Sequence, residues 1–187
     1  MAEIIVQDIY GTFAYLGPGL FSTVLLTMVM VILRYFHSKS YSMADTLKCM
    51  VLIFYLVMLV QIALLSREPG SRTTTDLIPF STWGTSAQSR AYEYENILMF
   101  LPMGFLLPAF FKLLRRLYYV VVVLILFSCV IEITQFVTQR GFLQTDDVIM
   151  NTIGGIGGYF IWKIVNRIFG SKDGCRGISL PFTSKLH

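Results

Sequence analysis

The sequence predicts an all-α, polytopic membrane protein, a bundle of about five transmembrane helices forming one membrane domain over residues 1–187. Three observations predict it. The chain is 55% hydrophobic and only 14% charged, with a mean hydropathy of +0.66, where soluble domains carry roughly 25% charged residues. Its apolar residues fall into five runs, each near the roughly 20 residues a helix needs to cross about 30 Å of hydrocarbon. The basic residues lie between those runs, so the formal net charge of +4 reports orientation rather than nucleic-acid binding.

The first run covers residues 16–33 and the second 46–65. Ahead of them, Glu3 and Asp8 without Lys or Arg are the reverse of a signal-peptide n-region, so no cleavable leader is expected. The third run, 96–114, holds Pro102 and Pro108 and ends beside Lys112, which must snorkel. At about 1.5 Å per residue it reaches only about 28 Å, which leaves a kinked crossing or a re-entrant segment, and a kinked crossing is expected. The fourth covers 117–137 and the fifth 148–169.

Charge sets the orientation. With the N-terminus outside, 11 of the 15 Lys and Arg residues fall inside, leaving Arg67, Arg72, Arg90 and Arg140 outside. The positive-inside rule therefore predicts N-out and C-in. Residues 66–95 form an outer loop too short for its own core and interrupted by Pro69, Gly70, Pro79 and Gly84. Within it, Leu77, Ile78, Phe80 and Trp83 are apolar enough to lie against the membrane interface, where Trp is favoured. The tail, 170–187, reads as a short cytoplasmic end. Cys49, Cys129 and Cys175 are odd in number and lack metal spacing, so they read as free thiols.

The function lies in residues that do not belong in a span. Glu132, Gln135, Arg140, Asp146, Asp147 and Asn151 sit in sequence that otherwise reads as membrane helix. Each costs about a few kcal/mol in hydrocarbon, so each must face protein, water or a ligand. Glu132, Gln135 and Gln139 share a face of the fourth helix, with Glu132 roughly 8 Å from its outer end. Asp147 and Asn151 share a face of the fifth, Asn96 opens the third, and Arg67 follows the second.

In the predicted orientation all of them fall near the outer leaflet, beside two helix N-termini that attract anions. That predicts an outward-facing pocket for an anionic or polar headgroup, with Arg67, Asn96, Gln135, Arg140 and Asn151 as candidate ligand-binding residues. Glu132 with Asp146 or Asp147 are candidate acid and base. Plainer roles stand beside these: Thr145 or Asp146 as a helix cap, Arg140 as partner of an acid, Gln135 as an interhelical hydrogen-bonding residue. Gly154 and Gly158, in GxxxG spacing, predict close packing on a neighbouring helix, expected to be the fourth.

The segments LLSREPGSR and LIPF, then NILMFLPMGFLLP, then IEITQFVTQRGFLQTDDVIMNTIGGIGGY resemble the VanZ-like family over about residues 64–159. The ordered set is Asn96, Pro102, Gly104, Glu132, Gln135, Asp146 or Asp147, Asn151 and Gly154. The resemblance implies a bacterial cell-envelope protein linked to resistance against teicoplanin, a lipoglycopeptide acting on lipid-linked cell-wall precursor at the outer face. The implied partners are membrane lipid and either that precursor or the drug. The acids could hold a divalent cation through oxygen ligands, but nothing fixes a metal or names a cofactor.

Three functions compete: a protein that shields precursor or captures drug, a carboxylate-dependent membrane enzyme, and a transporter or flippase. The last is weakened by the lack of an inverted repeat and of polar residues continuing inward. Enzymes are narrowed to carboxylate chemistry, because His37 and His187 both lie inside and no GxSxG, HExxH or Walker A sequence occurs.

Overall fold

The computed structural model describes residues 10, 13–36, 43–65, 70, 75–81, 83 and 86–169. They form five long helices: α1 (Leu16–Phe36), α2 (Met43–Val60), α3 (Ala87–Phe110), α4 (Leu117–Val137) and α5 (Thr145–Phe169). The all-α prediction holds. The remaining elements are small: 3-10 turns at Phe13–Tyr15 and Lys112–Arg115, a π turn at Gln61–Leu65, and two-residue strands at Thr75–Asp76 and Leu143–Gln144. Cys175 and the tail 170–187 lie outside the described residues, as does Arg67.

Among the described residues four stretches are long and apolar enough to cross a membrane: Phe13–Leu33, Met43–Leu64, Leu117–Val137 and Thr145–Phe169. The chain is a multi-pass membrane protein. The third helix differs from expectation at its start. It begins at Ala87 rather than Asn96, capped by Ser86, whose side chain accepts a hydrogen bond from Ser89 N at 3.0 Å. Its first turns carry Gln88, Arg90, Glu93 and Glu95, polar helix formers that a search for apolar runs passes over. Both prolines lie inside the helix. Asn96 is therefore well within α3 and does not open it.

The described residues divide into two compact units, one drawn from Met1–Thr75 and Ile133–Leu143, the other from Asp76–Glu132 and Gln144–His187. In the first, α1 packs on α2, and Thr23 Oγ donates to Gly19 O at 2.7 Å where the two helices meet. In the second, α3 and α5 pack along their length. A methyl group placed on Gly154 would overlap the Ile97 carbonyl, and one on Gly158 the Leu101 carbonyl. Reciprocally, one on Gly104 would overlap the Gly155 carbonyl. The small residues let the two backbones touch.

The partner of the GxxxG pair is therefore α3 and not the expected α4. The α4 helix meets α5 through Gly155, which faces Leu124. A three-residue glycine ladder on two helices fixes their spacing more tightly than GxxxG alone discloses.

The fourth helix ends in a left-handed cap. Gln139 has φ 56, with Gln139 N donating to Phe136 O at 3.1 Å and Arg140 N to Gln135 O at 2.8 Å. This is the Schellman arrangement, which favours glycine at the left-handed position. Gln139 thus closes the helix and does not extend the face of Glu132 and Gln135 as expected. Replacing Gln139→Gly should relieve the strain and stabilise the protein by about 1 kcal/mol. A higher thermal midpoint in detergent is the result to look for.

Candidate functional site

The second unit gathers polar side chains from three helices. On α4, Ser128 and Glu132 are one turn apart, and on α5 so are Asp147 and Asn151. Hydrogen bonds join the elements. Asn96 Nδ2 on α3 donates to Asp147 Oδ1 at 2.9 Å. Asn151 Nδ2 donates to Ser128 Oγ at 2.8 Å. Gln144 N, just ahead of α5, donates to Glu132 Oε2 at 3.2 Å.

Asn96, Ser128, Glu132 and Asn151 are buried and Asp147 is half-buried. Glu132 is 2% exposed and Asn151 1%, so their polar atoms must be satisfied within the protein or by something bound. Asn151 Oδ1 is buried with no hydrogen-bond partner. An unmet acceptor among apolar helices carries a desolvation cost of about 1–3 kcal/mol. It marks a place where a donor group would be stabilised.

The start of α5 explains how the acids are accommodated. Asp146 and Asp147 occupy its first turn, where the helix dipole favours negative charge. The Glu132 carboxylate reaches the same end from α4 through Gln144 N. Asp146 Oδ1 accepts from Phe80 N, far away in sequence, so it anchors a distant loop, a role beyond the expected local cap. The helix N-terminus that the sequence offered to an external anion is thus furnished with carboxylates of the chain itself.

Gln135 and Arg140 belong to the first unit and do different work. Gln135 Nε2 donates to Ala63 O at 2.8 Å, and Arg140 Nη1 to Leu64 O at 3.0 Å. Both acceptors lie in the π turn that closes α2, where the backbone departs from regular α-helical pairing. The plainer reading of Gln135, hydrogen bonding between helices, matches this geometry. Among the described residues no three His, Cys, Asp or Glu side chains group closely enough to hold a metal ion.

Of the sequence-predicted site residues, the second unit brings together Asn96, Glu132, Asp146, Asp147 and Asn151. Ser128 was missed. Its position one turn before Glu132 is the signal that could have found it. No sequence signal pointed to Phe80 N, a backbone group.

A profile of the VanZ/LLP1 family matches residues 21–166. The chain belongs to the VanZ/LLP1 family. The matched stretch starts within α1 and ends within α5, so it is wider than the segment that carries the motif resemblance. This VanZ/LLP1 chain is also similar to Protein VanZ of Enterococcus faecium, 31% identical over 121 residues that cover 65% of this chain and 72% of that protein. No solved structure matches. All the hydrogen-bonded polar residues of α3, α4 and α5 fall inside the region matched to the VanZ/LLP1 family.

Proposed function

We propose that this VanZ/LLP1 protein resides in the cytoplasmic membrane, N-terminus outside and C-terminus inside, and protects the envelope against teicoplanin-type lipoglycopeptides. The charge distribution supports the orientation, because 11 of the 15 basic residues then lie inside. In that orientation the start of α5, with Asn96, Glu132 and Asp147, faces the outer leaflet. The cluster engages the polar headgroup of a lipid-linked precursor, or the drug itself, and reduces access of drug to precursor.

One observation carries the reading: acids and amides on three apolar helices meet near one helix end, and within that cluster Asn151 Oδ1 has no partner, a state that Gln61 Oε1 and Gln135 Oε1 share in the first unit. A purely structural network is normally fully satisfied. Similarity to Protein VanZ of E. faecium supports the link to glycopeptide resistance.

A carboxylate-dependent enzyme is the second reading, favoured by the buried carboxyl group of Glu132 beside the start of α5. One experiment separates them. Deleting the protein should lower the teicoplanin concentration that stops growth several-fold, and re-expression should restore it. Unchanged susceptibility in the deleted strain removes the protective reading. Glu132→Gln keeps an oxygen for Gln144 N, so the fold survives. A binding site then retains part of its protection, whereas an acid–base catalyst loses all of it.

A further inference from the structure

We propose that residues 76–81 with Trp83 form a wedge that inserts into the bilayer leaflet at the α5 N-terminus, its partner being the lipid surface itself. The polar groups of this segment are occupied with one another: Ile78 N donates to Asp76 Oδ1 at 3.2 Å, Ser81 Oγ to Asp76 Oδ2, and Ser81 N to Ile78 O at 3.3 Å. Its apolar side chains are turned outward, with Leu77 63%, Ile78 70%, Phe80 53% and Trp83 55% exposed. Phe80 and Trp83 pack with ring centroids 5.2 Å apart and planes tilted by 42°, giving one aromatic surface.

Depth is set by a hydrogen bond. Phe80 N donates to Asp146, and Asp146 is the second residue of α5, which is long and apolar enough to cross a membrane. The Phe80 backbone therefore lies at the boundary of a span, at the level where the lipid-facing surface of the protein begins. Tryptophan and other amphipathic aromatics are favoured at that level. The left-handed backbone of Phe80, φ 64, is a conformation rare for a bulky residue, and it is retained at the point where the loop is tied to α5. The inference is independent of the proposed resistance function and of which side of the membrane is outside.

Fluorescence of the full chain tests it. The sequence has two tryptophans, so Trp162→Phe leaves Trp83 alone, with an aromatic ring kept beside Tyr159. Reconstituted in phosphatidylcholine vesicles, Trp83 should emit at blue-shifted wavelength. Lipid brominated near the headgroup should quench it strongly, lipid brominated near the acyl end less, and aqueous acrylamide little. The difference signal between the native chain and Trp83→Phe gives the same reading without altering Trp162. Strong acrylamide quenching with no effect of brominated lipid in either experiment would overturn the proposal.

Discussion

Gly158→Ala is expected to destabilise the protein, whereas Gly157→Ala, one position away, is expected to leave it unharmed or stabilise it. The difference is purely one of neighbours. A methyl group on Gly158 meets the Leu101 carbonyl and the Phe105 N of α3, backbone atoms that cannot rotate aside. A methyl on Gly157 meets nothing within 4 Å. Forcing volume into a close-packed contact costs about 1–3 kcal/mol. Removing a glycine from an open helical position instead gains up to about 1 kcal/mol of helix propensity.

Gly104→Ala should behave like Gly158→Ala, since it is directed at the Gly155 carbonyl from the other helix. Thermal midpoints of the purified variants in detergent provide the check. Equal midpoints for Gly157→Ala and Gly158→Ala would contradict the packing. The ladder also sets the separation of α3 from α5 and so the reach of Asn96 to Asp147. Under the proposed function, a packing variant that still folds should therefore also lose protection.

Much of this arrangement was readable from residue types, and the unreadable parts share a cause. Apolar runs declare spans without reference to neighbours, so α1, α2, α4 and α5 were legible, while the polar first turns of α3 were hidden from the same criterion. The acids of the site announced themselves because a charge inside a span is costly wherever it sits. Their partners did not. That Asn96 serves Asp147, that Ser128 serves Asn151, and that Asp146 reaches Phe80 N depends on which helices adjoin. Gly154 and Gly158 likewise promised a close contact without naming α3. Gln139 showed no sign of its left-handed role, because that position follows from where α4 stops.

Truncating either member of the Asn96–Asp147 pair should cost more than replacing both. Asp147→Leu strands the Asn96 amide, at about 1–3 kcal/mol, and Asn96→Leu takes one hydrogen-bond donor from the Asp147 carboxylate. Asn96→Leu with Asp147→Leu removes both halves of that bond and recovers part of the loss. Hydrogen bonds between membrane helices have coupling energies averaging about 0.6 and reaching about 1.7 kcal/mol, and a carboxylate acceptor strengthens the bond. A coupling of about 1–1.5 kcal/mol is therefore expected from the double-mutant cycle. The double variant also tells a site from a strut. If it folds and protects against teicoplanin as well as the native chain, the pair serves only to hold α3 on α5, and the polar cluster loses its claim on a ligand. If it folds and fails to protect, the pair does more than hold α3 on α5, and the polar cluster keeps its claim on a ligand.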